Sequence, residues 1–244
     1  MEQRASQLIY DWNRAGLGHQ WIVWPEIIWK QAVTFDYEDA EDFGYYTTIT
    51  WLPTDLLTIA AGYDSFLLDI PIRARAVGIE GENTFLNLLY EESDLRYCGF
   101  SANLSWLDDG NRSSGITLYY DQNVLNSPDF KIRLGGEANY SANSKQNVEY
   151  FSPLDGYTFV LTQTFRYIHY ARNDRRFRSS LYSRLGFYSQ HGFKSYAVYG
   201  ITFEQLLDIS KTLAFVWNVA WDRKIYDGDS THVWSGLFSL RKNF

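Results

Sequence analysis

The stretch DFKIRLGGEANY, residues 129–140, decides the fold class of this 244-residue chain. Apolar side chains take every second position along it, as Phe130, Ile132 and Leu134 show. The positions between them carry the polar set Lys131, Arg133, Glu137 and Asn139. Because successive side chains of a β-strand point to opposite faces of its sheet, this alternation predicts a strand with one apolar and one polar face.

Three other segments repeat the alternation at similar length: residues 98–106, 177–189 and 213–222. The alternating runs cover about 10 to 13 residues, whereas strands of soluble proteins usually stop at about 5 or 6. A tilted strand needs about 9 to 11 residues to cross the hydrocarbon core of a bilayer. The lengths therefore predict strands that span a membrane.

The composition fits a membrane barrel and argues against other classes. Aromatic residues make up 18% of the chain, with 19 Tyr, 16 Phe and 9 Trp, and Trp and Tyr favour the membrane–water interface. The mean hydropathy of -0.32 suits strands in which only alternate residues are apolar. No stretch approaches the roughly 18 consecutive apolar residues of a membrane helix. The net charge of -7 argues against nucleic acid as a partner.

Turn-forming residues separate the alternating runs. They occur at residues 52–55, 108–111, 126–129, 173–174 and 227–229. The runs between them predict about 14 strands, with residues 18–37 forming either one strand or two. Residues 141–147 are polar and predict a long loop. Because no domain boundary interrupts the pattern, we expect residues 1–244 to form a single outer-membrane β-barrel domain.

The two ends of the chain fit a secreted barrel. The last residues alternate again, with Trp234, Phe238, Leu240 and Phe244 on one face, and a last strand ending in Phe resembles the assembly signal of outer-membrane barrels. The first residues, MEQR, are not followed by the apolar region of a signal peptide, so we expect a longer secreted precursor. A soluble β-sandwich, propeller or lectin would also alternate, but the strand lengths and the final Phe favour the membrane barrel.

Seven short segments, taken in order, carry a family resemblance. They are GYDSF (62–66), DIPIRAR (69–75), YEESDLR (90–96), LDDGNR (107–112), EYFSP (149–153), DRRF (174–177) and YDGD (226–229). Their order from about Gly44 to the C-terminus resembles the C-terminal barrel of the poly-β-1,6-N-acetyl-D-glucosamine export porins, the PgaA/HmsH family.

This resemblance implies a closed antiparallel transmembrane β-barrel of the outer-membrane type with about 16 strands. It also implies a porin, not an enzyme, that exports partly de-N-acetylated poly-β-1,6-N-acetyl-D-glucosamine for biofilm formation. A monomeric barrel without a cofactor or metal would follow, served by an inner-membrane synthase and a periplasmic deacetylase. Family members also carry a periplasmic helical-repeat region, which we expect to be absent from residues 1–244.

The polar face of the strands would then line the path of the polymer. Such a path needs many weak hydrogen-bonding groups and aromatic faces, because the polymer must bind favourably enough to enter the path and weakly enough to leave it. The candidate residues are Asp64, Arg73, Arg75, Glu91, Glu92, Asp94, Tyr97, Lys131, Arg133, Glu137, Thr162, Thr164, Arg166, Arg178, Arg184, Glu204, Asp222 and Asp227.

The acidic residues of this set suggest a more specific hypothesis. A polymer that has lost acetyl groups carries cationic amines, so an acid-biased lumen with Glu91, Glu92 and Asp94 would attract it over a distance. The alternative for any one charged residue is a structural ion pair within the wall. Arg73 beside Asp64 fits that alternative.

Several other functions remain open from the residues alone. Another conduit, for cellulose or a cationic galactosaminoglycan, would share these features, and so would a general diffusion porin. A barrel enzyme would need a nucleophile beside a base, which separate strands could supply if they brought His169 near a Ser. The turn at residues 108–111 lacks the full spacing of a calcium loop, and the four His residues lack metal-ligand spacing.

Overall fold

A computed structural model describes residues 12–38, 42–65, 74, 78–92, 95–146, 148, 150, 152–226 and 229–242. Within these residues the chain forms thirteen β-strands. They are β1 (Trp12–Trp24), β2 (Ile27–Glu38), β3 (Asp42–Thr54), β4 (Leu57–Asp64), β5 (Gly81–Glu92), β6 (Arg96–Leu107), β7 (Arg112–Asn126), β8 (Phe130–Asn143), β9 (Asp155–Arg172), β10 (Arg175–Gln190), β11 (Tyr196–Ser210), β12 (Leu213–Tyr226) and β13 (Asp229–Lys242).

The strands pair in the order in which they occur along the chain, from β1 to β13. Each register that is defined is antiparallel, for example between β9 and β10 and between β12 and β13. The segment at residues 18–37 forms two strands, β1 and β2, which pair from Trp12 with Glu38 to Trp24 with Ile27. The prediction of an all-β antiparallel architecture is confirmed.

The predicted strand number and closure are wrong for the described residues. The sheet has 13 strands rather than 14 to 16, and it is not closed, because β1 and β13 stand at its two edges. The strands are longer than predicted, reaching 18 residues in β9 and 16 in β10, so fewer fit into the chain.

Other boundaries also differ from the sequence prediction. Strand β8 continues through Asn143, so the loop expected at residues 141–147 begins later. The turn at residues 173–174 is confirmed, and Asn173 adopts a left-handed backbone with φ of 53°, a conformation that Asn tolerates better than most residues. Residues 227–228, where another turn was predicted, lie outside the described residues.

The described contacts divide the chain into two compact units. Unit 1 comprises residues 1–90, 100–116 and 141–155, and unit 2 comprises residues 91–99, 117–140 and 156–244. Unit 1 contains a small hydrophobic core of Ala74, Leu107 and Tyr150, with Ile79 and Val148 packed against it. This core lies among the connections between strands.

The apolar face of the sheet has the pattern expected for contact with lipid. Along β9, the exposed side chains include Tyr157, Phe159, Leu161 and Tyr167, which alternate with less exposed residues. Tyr157 and Tyr167 are ten residues apart, or about 25 Å along the membrane normal for a strand tilted by about 40°. That separation matches an apolar band between two aromatic girdles. The described residues contain no helix with the length and apolarity to cross a bilayer.

Candidate binding surface on the polar face of the sheet

Four neighbouring strands of unit 2 place polar side chains in cross-strand rows. Arg184 of β10 lies between Thr162 of β9 and Gly200 of β11, and Gly200 lies opposite Asp222 of β12. A second row, four residues along β9, consists of Arg166, Ser180, Glu204 and Asn218. The antiparallel register therefore collects several of the predicted residues on one surface.

Arg184 and Asp222 form an ion pair across the strand between them. Arg184 Nη2 lies 2.8 Å from Asp222 Oδ1, and its Nε donates to the same oxygen at 3.1 Å. The two strands are about 9.6 Å apart, which is two strand spacings. Gly200 on β11 leaves the room, because a Cβ there would lie 1.9 Å from Asp222 Oδ1. This pair fits the alternative in which a charged residue forms a structural ion pair within the wall instead of contacting a polymer.

Tyrosine rings lie on the polar face of β6 and β7. Tyr97 and Tyr119 meet edge to face with centroids 6.0 Å apart. Tyr119 lies against the backbone of Gly99, where a Cβ would come within 2.2 Å of the ring. The guanidinium of Arg133 lies 5.4 Å from the centroid of Tyr97, a cation–π distance. These rings present apolar faces within a polar surface.

Arg133 is also held by two groups of β7. Its Nε donates to Asn123 Oδ1 at 3.2 Å and approaches Asp121 Oδ1 at 2.9 Å. The hydrogen points to Asn123, so the contact with Asp121 is an ion pair without a hydrogen bond of good geometry. Arg133 is therefore fixed in position.

These side chains line one elongated pocket of about 520 Å³ in unit 2. Its lining residues are Tyr97, Tyr119, Tyr120, Asp121, Asn123, Lys131, Arg133, Gly136, Glu137, Thr162, Thr164, Arg166 and Tyr182. The volume is in the range of small-molecule binding sites. Lys131 and Glu137 are six residues apart on β8, so the lining extends about 20 Å along the strand.

The pocket does not have the acidic excess expected from the sequence. Lys131, Arg133 and Arg166 contribute three positive charges, and Asp121 and Glu137 contribute two negative ones. Asp121 is paired with Arg133, so two cations and one carboxylate remain. The net charge of -7 belongs to the whole chain and is not concentrated at this surface.

The remaining predicted residues lie in other places. Glu91 and Glu92 stand at the end of β5, where Glu92 pairs with Arg96 across the turn to β6. Asp64 belongs to unit 1 and lies opposite Tyr46 on β3 and Asn83 on β5. Arg178 of β10 lies opposite Ile168 and Leu206 and is outside the pocket lining. The predicted residues Arg73, Arg75, Asp94 and Asp227 lie outside the described residues.

Among the lining residues, the sequence prediction missed Tyr119, Asp121, Asn123, Tyr182, Tyr120 and Gly136. The first three occupy alternate positions of β7, whose burial pattern alternates almost without interruption. Leu118 and Val124, both exposed on the apolar face, give the alternation in the sequence itself. The same period-2 criterion applied to residues 112–126 would therefore have found them.

A network in unit 1 connects the turn after β6 with the loop after β8. Asn111 is fully buried, and its Nδ2 donates to Tyr150 Oη and Ser152 Oγ, each at 2.9 Å. Its Oδ1 accepts from Ser144 Oγ at 3.2 Å and from Lys145 N at 3.0 Å. All four hydrogen-bonding positions of the amide are thus used.

Asp109 belongs to the same network. Its Oδ1 accepts from Asn111 N at 2.8 Å, and its Oδ2 accepts from Tyr150 Oη at 2.9 Å. Burial raises the pKa of Tyr150 to about 12; the bond to Asp109 adds to the shift and the bond from Asn111 opposes it. The turn is confirmed, with Gly110 at φ of 79°. Within the described ranges, no group of three or more His, Cys, Asp and Glu is placed to hold a metal ion.

The structure also brings His169 close to a serine. His169 Nε2 lies 2.7 Å from Ser179 Oγ, and Gln205 Nε2 donates to the same hydroxyl at 3.3 Å. The imidazole stacks on Phe177 and meets Tyr167 edge to face. Tyr167 is one of the exposed aromatics of the apolar face, so the pair of His169 and Ser179 lies on that face and not on the face that lines the pocket.

Long alternating strands, an apolar face bounded by aromatics and a polar face with an elongated pocket are typical of membrane β-barrel proteins. The chain belongs to the PgaA membrane beta barrel domain family, whose model matches residues 8–244. The resemblance inferred from the sequence and the location in the outer membrane are thereby confirmed.

One solved structure, described as a "Bacterial polysaccharide outer membrane secretin", has the same fold. It aligns with a TM-score of 0.87 at 15% identity, covering 96% of this chain and 80% of the other. No curated protein matches this sequence.

Proposed function

We propose that this chain forms the outer-membrane conduit for an exopolysaccharide. The observation that supports it best is the elongated pocket of unit 2, where tyrosine rings, hydroxyls and charges line about 20 Å of strand. Aromatic faces can stack on sugar rings, and the polar groups can replace water around hydroxyls. The family and the similar structure, which is described as a polysaccharide secretin, point the same way.

The polymer proposed is partly de-N-acetylated poly-β-1,6-N-acetyl-D-glucosamine, exported for biofilm formation. An inner-membrane synthase and a periplasmic deacetylase would supply it. Neutral acetylated units can hydrogen-bond to both the donors and the acceptors of the pocket. The barrel would act as a passage and carry out no chemistry of its own.

Conductance across a planar bilayer tests this function. We expect the open protein to be blocked by β-1,6-linked N-acetylglucosamine oligomers from the periplasmic side. Replacing Tyr97 and Tyr119 with Ala should weaken the block, whereas Tyr157→Ala on the apolar face should leave it unchanged. A protein that passes small solutes and is indifferent to every oligomer would instead be a general diffusion porin.

Glu91, Glu92 and Asp94 are proposed to draw the cationic units of the polymer towards the barrel. The support is that Glu91 is exposed at the end of β5. Glu92 already pairs with Arg96, so Glu91 should contribute more. The variant with Gln at 91 and 92 and Asn at 94 should reduce secreted polymer at normal barrel levels. Unchanged secretion would rule out this guidance.

A further inference from the structure

Two cations face each other at one end of the pocket. The backbone hydrogen bond from Ile168 N to Asp129 O and the contact of Gly135 with Thr162 define one register of β8 on β9. That register places Lys131 directly opposite Arg166. Like charges in such a pair destabilise a sheet, and a local rule that is broken in this way often marks a functional position.

Polar atoms without a hydrogen-bond partner lie beside the pair of Lys131 and Arg166. Arg166 lies opposite Ser180 on β10, and Arg178 precedes Ser180 by two residues on the same face. Ser180 is 1% exposed, and its Oγ has no hydrogen-bond partner among the described residues, nor do the buried Nε atoms of Arg166 and Arg178. Buried polar groups are normally paired, so this cluster lacks an acceptor.

The surrounding charge is positive. Lys131, Arg166 and Arg178 contribute three cations, against two carboxylates: Glu204, opposite Ser180, and Asp129, opposite Ile168 and two residues before Lys131. Glu204 forms no ion pair with Arg166 within the described chain, although Arg184 and Asp222 bridge the same two-strand spacing. An ammonium group would be repelled here, whereas a carbonyl oxygen would receive hydrogen bonds.

We infer that Lys131, Arg166, Arg178 and Ser180 form a subsite for the acyl oxygen of N-acylated sugar units and discriminate against units with a free amine. This inference rests on the proposed function and adds selectivity within the path. The subsite differs from the proposed attraction of cationic units by acidic residues, because the subsite retains the acetylated units. The cationic units would pass this point with less contact.

The test is a fluorescence titration of the purified protein in detergent micelles with two β-1,6-linked glucosamine hexamers. One hexamer is fully N-acetylated and the other fully de-N-acetylated. In the Lys131→Met, Arg166→Met double variant, the Kd for the acetylated hexamer should rise about tenfold, and that for the other should fall. The control is Lys211→Met combined with Lys194→Met, both in exposed connections of unit 2, because it also removes two positive charges.

Two more variants complete the test, the first of which preserves the charge. Lys131→Arg with Arg166→Lys should retain the preference for the acetylated hexamer, and Arg166→Gln carries the test if the double Met variant does not assemble. If the Met variant and the control at Lys194 and Lys211 bind the acetylated hexamer equally, the subsite is wrong and the sugar path still stands. If the unaltered protein binds neither hexamer, the subsite and the proposed function both fail.

Discussion

The side chains of a few single residues stabilise the turn after β6 and the loop after β8 through hydrogen bonds. Asn111 uses both donors and accepts twice, so that one buried amide joins a turn to the loop that follows β8. Tyr150 completes the network by donating to Asp109. Buried polar groups stabilise a structure when they are fully satisfied, and this network meets that condition for Asn111.

The pKa of Tyr150 gives a prediction for pH dependence. Its pKa of about 12, against 10.0 as the ordinary value, means that the folded state holds the phenolic proton more tightly than the unfolded state. The stabilisation is therefore complete below pH 10 and is lost as the pH rises towards 12. We expect the difference in unfolding free energy between the unaltered protein and Tyr150→Phe to shrink by about 1 kcal/mol from pH 8 to pH 11.

Urea unfolding in detergent micelles at several pH values measures this difference. Because the other tyrosines are common to both proteins, their titration cancels in the comparison. A difference that stays constant up to pH 11 would show that Tyr150 ionises as it does in water.

At the scale of the strand, period-2 alternation separates two environments. On β9, Leu161 is 58% exposed on the apolar face, whereas its neighbour Thr162 lines the pocket on the other face. A one-residue shift in register would exchange the two sets, so the strand is strongly constrained when one face meets lipid. This is why one strand can carry both the apolar membrane face and the candidate binding surface.

Arginine substitutions along β9 test that orientation. Leu161 lies near the middle of the apolar band, four residues from Tyr157 and six from Tyr167, so Leu161→Arg should cost about 2 to 4 kcal/mol of folding free energy in a lipid bilayer. Tyr157→Arg, on the same face near its edge, should cost about 1 kcal/mol. Reversible folding into phospholipid vesicles gives both values, and equal costs would contradict the proposed depth of the strand.

At the scale of the whole molecule, the net charge and the local charge have different consequences. The chain carries a net charge of -7, but the pocket has two carboxylates and three cations. Long-range attraction depends on the total charge, whereas selection at contact depends on the groups within hydrogen-bonding distance. The two proposals are therefore compatible: long-range attraction of a cationic polymer and a preference for acetylated units at one site would act at different distances.

Salt separates these two effects. The Debye length falls from about 30 Å at 0.01 M to about 8 Å at 0.15 M ionic strength. The blocking rate of a de-N-acetylated hexamer in a planar bilayer should fall at least about threefold over this range, and that of the acetylated hexamer should hardly change. An identical salt response of both hexamers would argue against long-range steering.

The alternation of apolar and polar residues explains why the strands could be predicted from the sequence. Alternation at residues 98–106, 129–140 and 213–222 gave the strands and their polar faces correctly, because side-chain direction depends only on position within a strand. For the residues that the structure describes, strand number and closure were predicted wrongly. Long strands such as β9 extend through residues whose sequence does not alternate strictly, and closure depends on which edges meet.

The alternation of residues is sufficient to predict a membrane-spanning β architecture and the residues of each face, because a period of two is a local property of the chain. Which of those residues meet depends on how the strands pair in three dimensions. Arg184 reaches Asp222 only because Gly200 lies between them, and Lys131 faces Arg166 only through the register of β8 on β9. Such pairings join residues far apart in sequence, and they depend on strand register and on glycines that leave space.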